Sequence, residues 1–434
     1  MFKKISALSK LFLVLFCVLL TGCGASAPQA DSDSASAGDS LSFVDYTRQG
    51  DGGGFAAGYY RLVPRADGSN NICFVDYQTR LQTFLCNRPE CRHQDDTCPS
   101  WFPCSASGGT LFVSGGHLFY LSFGNRNPDI VASVGEDALP QLIQMDLSGA
   151  GREVLHIFSA SDLIREGIVY DSSAIYFTCD SFENFEQNGN LPQRSLYQYD
   201  LGAKKLTKLK SLTINDQIIG ACKREVILSA AAGAEDLSNA AEDLENTISC
   251  YNVDTGAEYT VLTHPFVAVG RVSDGYYYLY DPTTTALSRV NLSPGAQQEV
   301  IKKEVFGEAF LSYPYEVKAV FDHHLFVMYE IPKNEEWTDY STSLQAIDLA
   351  TGKARPITIR VKKSGGLAPA KEVEIVDESE DQFLVISSVE YYDVALPLDG
   401  GSVNLPYPYF HYSLIEKQDY YSSDPNYIPI EIMA

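Results

Sequence analysis

GYYYLYDPTTTALSRVNLSPG, residues 275–295, contains the unit from which the fold is read. An aromatic run, Tyr276 to Tyr280, leads through a short polar connection into a second apolar segment that ends on Val290, Asn291 and a Pro-Gly turn. Alternation of period two marks strands and excludes a helix. A short polar side chain followed by Gly closes a hairpin.

The aromatic element recurs as GYYRLV at Gly58, HLFYLSF at His117, AIYFTC at Ala174, EVILSA at Glu225, HLFVMY at His324 and QFLVIS at Gln382, giving seven copies in all. Its companion recurs as CFVDYQTR at Cys73, LIQMDLSG at Leu142, LYQYDLGA at Leu196, SCYNVDTG at Ser249 and LQAIDLATG at Leu344. The turn residue is Asp76, Asp146, Asp200, Asp254, Asn291 or Asp348. A strand can be placed before the aromatic elements, as in LSFVDYT from Leu41, GTLFVSG from Gly109, QIIGACK from Gln217 and EVKAVFD from Glu316. Another follows the turn, as in REVLHIF from Arg152, AEYTVLT from Ala257 and ARPITIRV from Ala354. The last copy takes FHYSLIEKQ from Phe410 and NYIPIE from Asn426 as its third and fourth strands. Four antiparallel strands repeated at roughly 55 residues predict an all-β chain, a β-propeller of seven four-stranded blades over residues 41–434, with six or eight blades as the alternatives.

Up-down-up-down blades put the first-to-second and third-to-fourth turns on one face, and these are tight throughout. The long segments fall on the other face: the Cys-rich interblade loop 86–108 and the second-to-third loops near 124–139, 181–193, 232–246, 331–341 and 394–409. Long loops on a rigid scaffold are where binding concentrates. Trp101, Phe102, Trp337, Tyr407 and Tyr409 are the ligand-contact candidates because they fall in those loops, with local loop packing as the competing role. The glycines from Gly50 to Gly58 miss the GxGxxG spacing and read as linker.

Upstream, Lys3, Lys4 and Lys10 precede ten apolar residues, Leu11 to Leu20, and then Thr21, Gly22 and Cys23. The apolar run is too short to span a bilayer. Residues 1–22 therefore read as a lipoprotein signal peptide and Cys23 as the lipidated first residue of the mature chain. Residues 23–40, rich in Ala, Ser, Asp and Gly, read as a flexible linker. The protein is expected on the outer face of the cell membrane, held by the acyl anchor at Cys23. The formal net charge of −24 becomes three units more negative once the leader's lysines are removed. Such an acidic chain excludes nucleic acid as a partner and accords with solubility outside the cell. The acidic runs at 235–245 and 377–381 lack EF-hand spacing, which leaves calcium a minor alternative.

LCNRPECRHQDDTCPSWFPC, residues 85–104, presents Cys86, Cys91, His93, Cys98 and Cys104 in one loop, with Cys73 one strand upstream. Cys86, Cys91, His93 and Cys98 form a candidate metal site, a structural zinc completed by three thiols and an imidazole. Disulfides among the eight cysteines after Cys23 are the alternative, favoured by an oxidising exterior.

The segment from Leu85 to Cys98, together with the Leu20 to Cys23 lipobox and the repeated aromatic strands, resembles a group of predicted β-propeller lipoproteins from anaerobic, gut-associated Gram-positive bacteria, TolB-like at the level of fold. The resemblance implies a surface-anchored propeller and brings no established activity.

No GxSxG, HExxH or GKS/GKT motif is present, and no catalytic residue is assigned. His117, His323 and His324 fit turn-capping or surface roles, and neither His264 nor His411 has an acid or Ser partner assignable from spacing. The expected function is binding of an envelope protein, peptide or glycan through the loop-rich face. The alternative is an extracytoplasmic lyase or hydrolase with its site at the propeller channel. The first strand is expected to start at the long-loop end, so that the linker leaves on that side.

Overall fold

The computed structural model describes residues 40–44, 52–65, 69–103, 108–125, 128–189, 191–232, 245–266, 268–305, 315–334, 340–364, 371–398 and 401–433. The leader, Cys23, Cys104 and Trp337 lie outside them. Seven sheets, antiparallel except for the short strands Lys362–Ser364 and Glu431–Ile432, form the blades of a β-propeller. All seven aromatic elements are second strands: Gly58–Pro64, His117–Ser122, Ala174–Ser181, Glu225–Ala232, Tyr276–Asp281, His324–Pro332 and Gln382–Leu398. Each predicted companion is the third strand paired beside its aromatic element.

The unbroken apolar character of the second strands follows from burial on both faces. In blade 2, Leu118 and Tyr120 pack toward blade 1, while Phe119, Leu121 and Phe123 pack toward blade 3. In blade 5, Tyr277 and Leu279 pack toward blade 4, and Tyr278 and Tyr280 toward blade 6. Seven such cores lie between successive blades, and the seventh joins Tyr59 and Val75 of blade 1 to Leu384, Ile386, Tyr412 and Leu414 of blade 7. Each buried side chain of this size contributes about 1.5–3 kcal/mol.

Turn chemistry sets the tight face. Asp76 Oδ1 accepts the Gln78 and Thr79 N–H groups at 2.8 Å each, and Asp348 Oδ1 accepts those of Ala350 at 3.0 Å and Thr351 at 2.7 Å. In blade 4 the cap is Asn252, bonded to Thr255 N at 3.0 Å. Asp254, the expected cap, instead pairs with Arg224.

The sequence reading is corrected at both chain ends. LSFVDYT does not open blade 1. Ser42–Val44 lies on the channel side of blade 3, antiparallel to its inner strand Ile168–Tyr170. Blade 1 opens instead with Gly53–Phe55, inside the glycine run read as linker. Packing explains the glycines, since a Cβ on Gly53 would lie 2.0 Å from the Leu111 carbonyl oxygen and one on Gly54 2.0 Å from the Asp377 carboxylate. Gly53→Val is expected to cost about 3 kcal/mol or more by overpacking, to be measured by denaturant unfolding against the parent chain.

At the other end, Ile428–Pro429 completes blade 7. Glu431–Ile432 then pairs in parallel with Leu81 and Gln82 on the outer edge of blade 1. The four principal strands of every blade are consecutive in sequence, so this outer splice joins the last blade to the first. The helix Lys417–Ser422 ties the same tail to blade 6 through Tyr421 Oη, 3.0 Å from Asp322 Oδ2, and Lys417 Nζ, 3.2 Å from Asp322 Oδ1.

Residues 394–409, expected as a loop, are mostly strand. Gln382–Leu398 and Gly401–Glu416 form one long hairpin. Its last eight pairs, Tyr391↔Pro408 to Leu398↔Gly401, extend about 25 Å past the blade. A two-stranded ribbon without outer neighbours tolerates Pro397, Pro406 and Pro408.

Candidate metal centre

The segment 86–108 is not a plain link between blades. The fourth strand of blade 1, Leu81–Phe84, leaves its partner at Leu85, whose N–H donates to Ile72 O at 2.9 Å, and the chain returns at Ser100, whose carbonyl accepts the Ile72 N–H at 2.8 Å. Trp101–Phe102 then continues the same edge opposite Asn70 and Asn71. The cysteine-bearing stretch is therefore an excursion closed at both ends on one residue. It sits against the 147–152 turn of blade 2, where Arg152 Nη1 donates to Trp101 O at 2.8 Å and its guanidinium lies 3.8 Å over the Phe102 ring.

Within the excursion, short turns gather the donors. Cys91 N–H bonds Arg88 O at 3.1 Å and Cys98 N–H bonds Asp95 O at 3.0 Å. His93 takes a left-handed backbone, φ +54°, and its ring stacks on Phe84 at 4.3 Å. The His93 carbonyl accepts from Asn71 Nδ2 at 3.1 Å and Arg65 Nη1 at 3.3 Å. Asn71, itself buried, also donates to Ser100 Oγ at 3.1 Å and so pins both halves of the excursion.

The result is a cluster of Cys86, Cys91, His93 and Cys98 whose ligand atoms all lie within 4.8 Å of one another. His93 Nδ1 is 3.3 Å from Cys98 Sγ, close to the ~3.5 Å edge that Zn–N and Zn–S bond lengths give in a tetrahedron. The cluster can hold a metal ion. Cys98 is fully buried, whereas the other three are partly exposed. Burial pushes the Cys98 thiol up to about 11. Burial also acts to raise Cys86, but hydrogen bonds from the Arg88 N–H and guanidinium hold it below the usual thiol range. A bound cation would draw the protons from all three thiols.

All seven described cysteines are free thiols. Cys73 stands apart on its strand, its thiol pushed up to about 12 by burial. Arg88, Asn71 and Arg65 were not singled out as site residues, although Arg88 lies inside the quoted motif. No sequence pattern announces the other two.

The aromatic candidates separate. Phe102 is 4 % exposed and belongs to the core between blades 1 and 2. This burial removes it from ligand contact. Trp101 is half-buried beside it. Tyr407 belongs to the hairpin arm and Tyr409 to the same strand at the arm's base, and neither lies in a loop.

Two further recesses bear on chemistry. In the channel, about 120 Å³ lies between Phe43, Val44, Gly53, Tyr59, Phe112 and Asp377. Between blades 4 and 5, a recess of about 490 Å³ borders His264. Both His264 nitrogens are engaged, Nδ1 donating to Pro265 O at 2.8 Å and Nε2 accepting from Tyr277 Oη at 3.1 Å. Burial lowers its pKa.

No protein-family model matches the chain, and no curated protein does. Among solved structures it is similar to the β-propeller domain of the Trilobed protease from Pyrococcus furiosus, at 11% identity over 90% of this chain and 98% of that one, TM-score 0.47. It is also similar to oligogalacturonate lyase from Vibrio parahaemolyticus, at 12% identity over 80% and 84%, TM-score 0.44. TolB from Acinetobacter baumannii follows at 12% identity over 85% and 77%, TM-score 0.33. These likenesses bear on fold alone.

Proposed function

We propose that this chain is a lipid-anchored propeller on the outer face of the cell membrane that binds a protein, peptide or glycan partner through the side bearing its second-to-third connections. The observation that carries the reading is the position of Ser42–Val44. That strand lies on the channel side of blade 3, where a propeller enzyme would place its substrate, and the recess beside it among the described residues is about 120 Å³. Small-molecule sites usually enclose about 300–1,000 Å³.

The hairpin arm is the element best suited to contact a partner. Its register sets Tyr392 opposite Tyr407, Val394 opposite Leu405 and Leu396 opposite Val403. Tyr407 keeps its place among the proposed ligand contacts on this ground, and Tyr409 stands at the arm's base.

Zinc is the ion we propose for Cys86, Cys91, His93 and Cys98. Three thiolates and an imidazole suit a soft or borderline ion and disfavour manganese or calcium. Four protein donors leave no position for a substrate, so the role is structural: the ion fastens an excursion whose polar sequence buries little of its own.

The binding reading is tested with the body bearing Cys23→Ala, immobilised and exposed to envelope extract, beside a version in which residues 391–408 are replaced by an Asn-Gly turn. A partner retained by the first and lost by the second, with both melting together, is the expected result. Equal retention removes the arm from the site.

A further inference from the structure

We propose that the seat of Ser42–Val44 decides which side of this protein faces the membrane: the tight-turn side lies toward the bilayer and the hairpin arm points away from it. The inference rests on lipidation at Cys23, proposed above. The strand enters from the tight-turn side, because Leu41 N–H donates at 2.7 Å to the carbonyl of Lys223, in the first-to-second turn of blade 4. Ser42 pairs with Tyr170, next to the corresponding turn of blade 3, and Val44 with Ile168, deeper in the channel. Leu41 is 6 % exposed, packed with Val169, Tyr176, Ile218 and Val226, so the entry point is fixed in the core. The described chain therefore begins at Ser40 by the channel mouth on the tight-turn side, opposite to the expectation of a start beside the long loops.

Chain statistics turn this exit into an orientation. A coil of the composition of residues 24–40 has a root-mean-square span of about 23 Å. To bring the arm side to the bilayer, it must cross four strands to the rim and climb the blade, about 45 Å. A Gaussian coil reaches that separation about 300-fold less readily than its short spans. The arm is therefore presented to partners that approach from outside, not to neighbours in the membrane plane.

The experiment uses the full lipidated chain in vesicles carrying a headgroup acceptor dye. A donor is attached through an azide-bearing side chain at Gly202, an exposed tight-turn position, or at Glu186, exposed on the opposite side. Energy transfer from Gly202 should exceed that from Glu186 by about threefold or more, given the coil's short span. Equal or reversed transfer overturns the proposal.

Two variants separate the causes. A Gly-Ser spacer of about 120 residues ahead of Ser40 leaves the body untouched and should reduce the preference from about 300-fold to about twofold, so that the difference in transfer between the two positions nearly disappears. Leu41→Asp, which buries an unpaired carboxylate unless the strand leaves, should erase it. Unchanged transfer with the spacer shows that the coil does not set the orientation and also overturns the proposal. Loss of vesicle binding in Cys23→Ala is the expected control. Vesicle binding retained without lipid refutes the anchor reading instead, separately from orientation.

Discussion

Deleting residues 428–434 is expected to open the ring between blades 7 and 1. The segment supplies the fourth strand of blade 7 and the outermost strand against blade 1, including Ile430 N–H to Tyr412 O at 3.1 Å, Glu431 N–H to Arg80 O at 2.9 Å and Met433 N–H to Gln82 O at 3.0 Å. It also supplies Ile430, 9 % exposed in the closing core. One buried isoleucine at about 1.5–3 kcal/mol and several hydrogen bonds at about 0.5–1.5 kcal/mol each sum to roughly 4–8 kcal/mol. Whole proteins have about 5–15 kcal/mol of net stability, so the truncated body should melt far below the parent and expose the edges of both blades to protease. Ile430→Ala provides the graded case, with an expected loss of about 2–4 kcal/mol. The measurement is thermal unfolding with size-exclusion chromatography. A truncated chain that melts within about 2 °C of the parent and stays monomeric would show that the seventh core closes the ring without the splice.

The same tail explains why closure was not legible in the sequence. NYIPIE reads as one strand with one partner, but Ile428 and Pro429 serve blade 7 while Glu431 and Ile432 serve blade 1, and nothing local records that division. The second and third strands were legible because their signal is local: residues such as Tyr277 and Tyr278 are buried on opposite faces, and Asp76 or Asp348 caps the next turn. The inner strand of blade 1 defeats pattern reading for a steric reason, whereas those at Gly109, Asp216 and Tyr315 were legible. Gly53 lies so close to Leu111 that no side chain fits, which leaves a strand that looks like a linker. LSFV carried a correct strand signal at 42–44, but pairing with blade 3 is a long-range choice. The metal donors were legible as a set, whereas their setting depends on Ile72 and Asn71, ordinary strand residues until the fold folds the excursion onto them.

The soluble body should purify with about one zinc per chain, and Cys98→Ala should remove it. Cys98 is the donor to test because it is fully buried and its Sγ lies 3.3 Å from His93 Nδ1 and 3.1 Å from Ser100 Oγ, so its loss leaves an incomplete site at the root of the excursion. Three remaining donors hold zinc far more weakly than four, because each bond adds to a free energy that reaches about 10–16 kcal/mol in zinc-finger peptides. The consequence should be local before it is global. Without the ion, residues 86–99 keep few anchors of their own, and cleavage after Arg92 should rise by an order of magnitude or more. Leu85 and Phe102 lie in the core between blades 1 and 2, so the melting point should also fall by about 5 °C. A chelator should reproduce both effects in the parent chain and neither in Cys98→Ala. The disulfide alternative predicts the opposite: metal-free protein, a mass lower by about two units per bridge before reduction, and indifference to chelator. Protein with that mass deficit on peptides containing Cys86, Cys91 or Cys98 would overturn the zinc assignment, and the excursion would then be stapled by covalent chemistry at the same root.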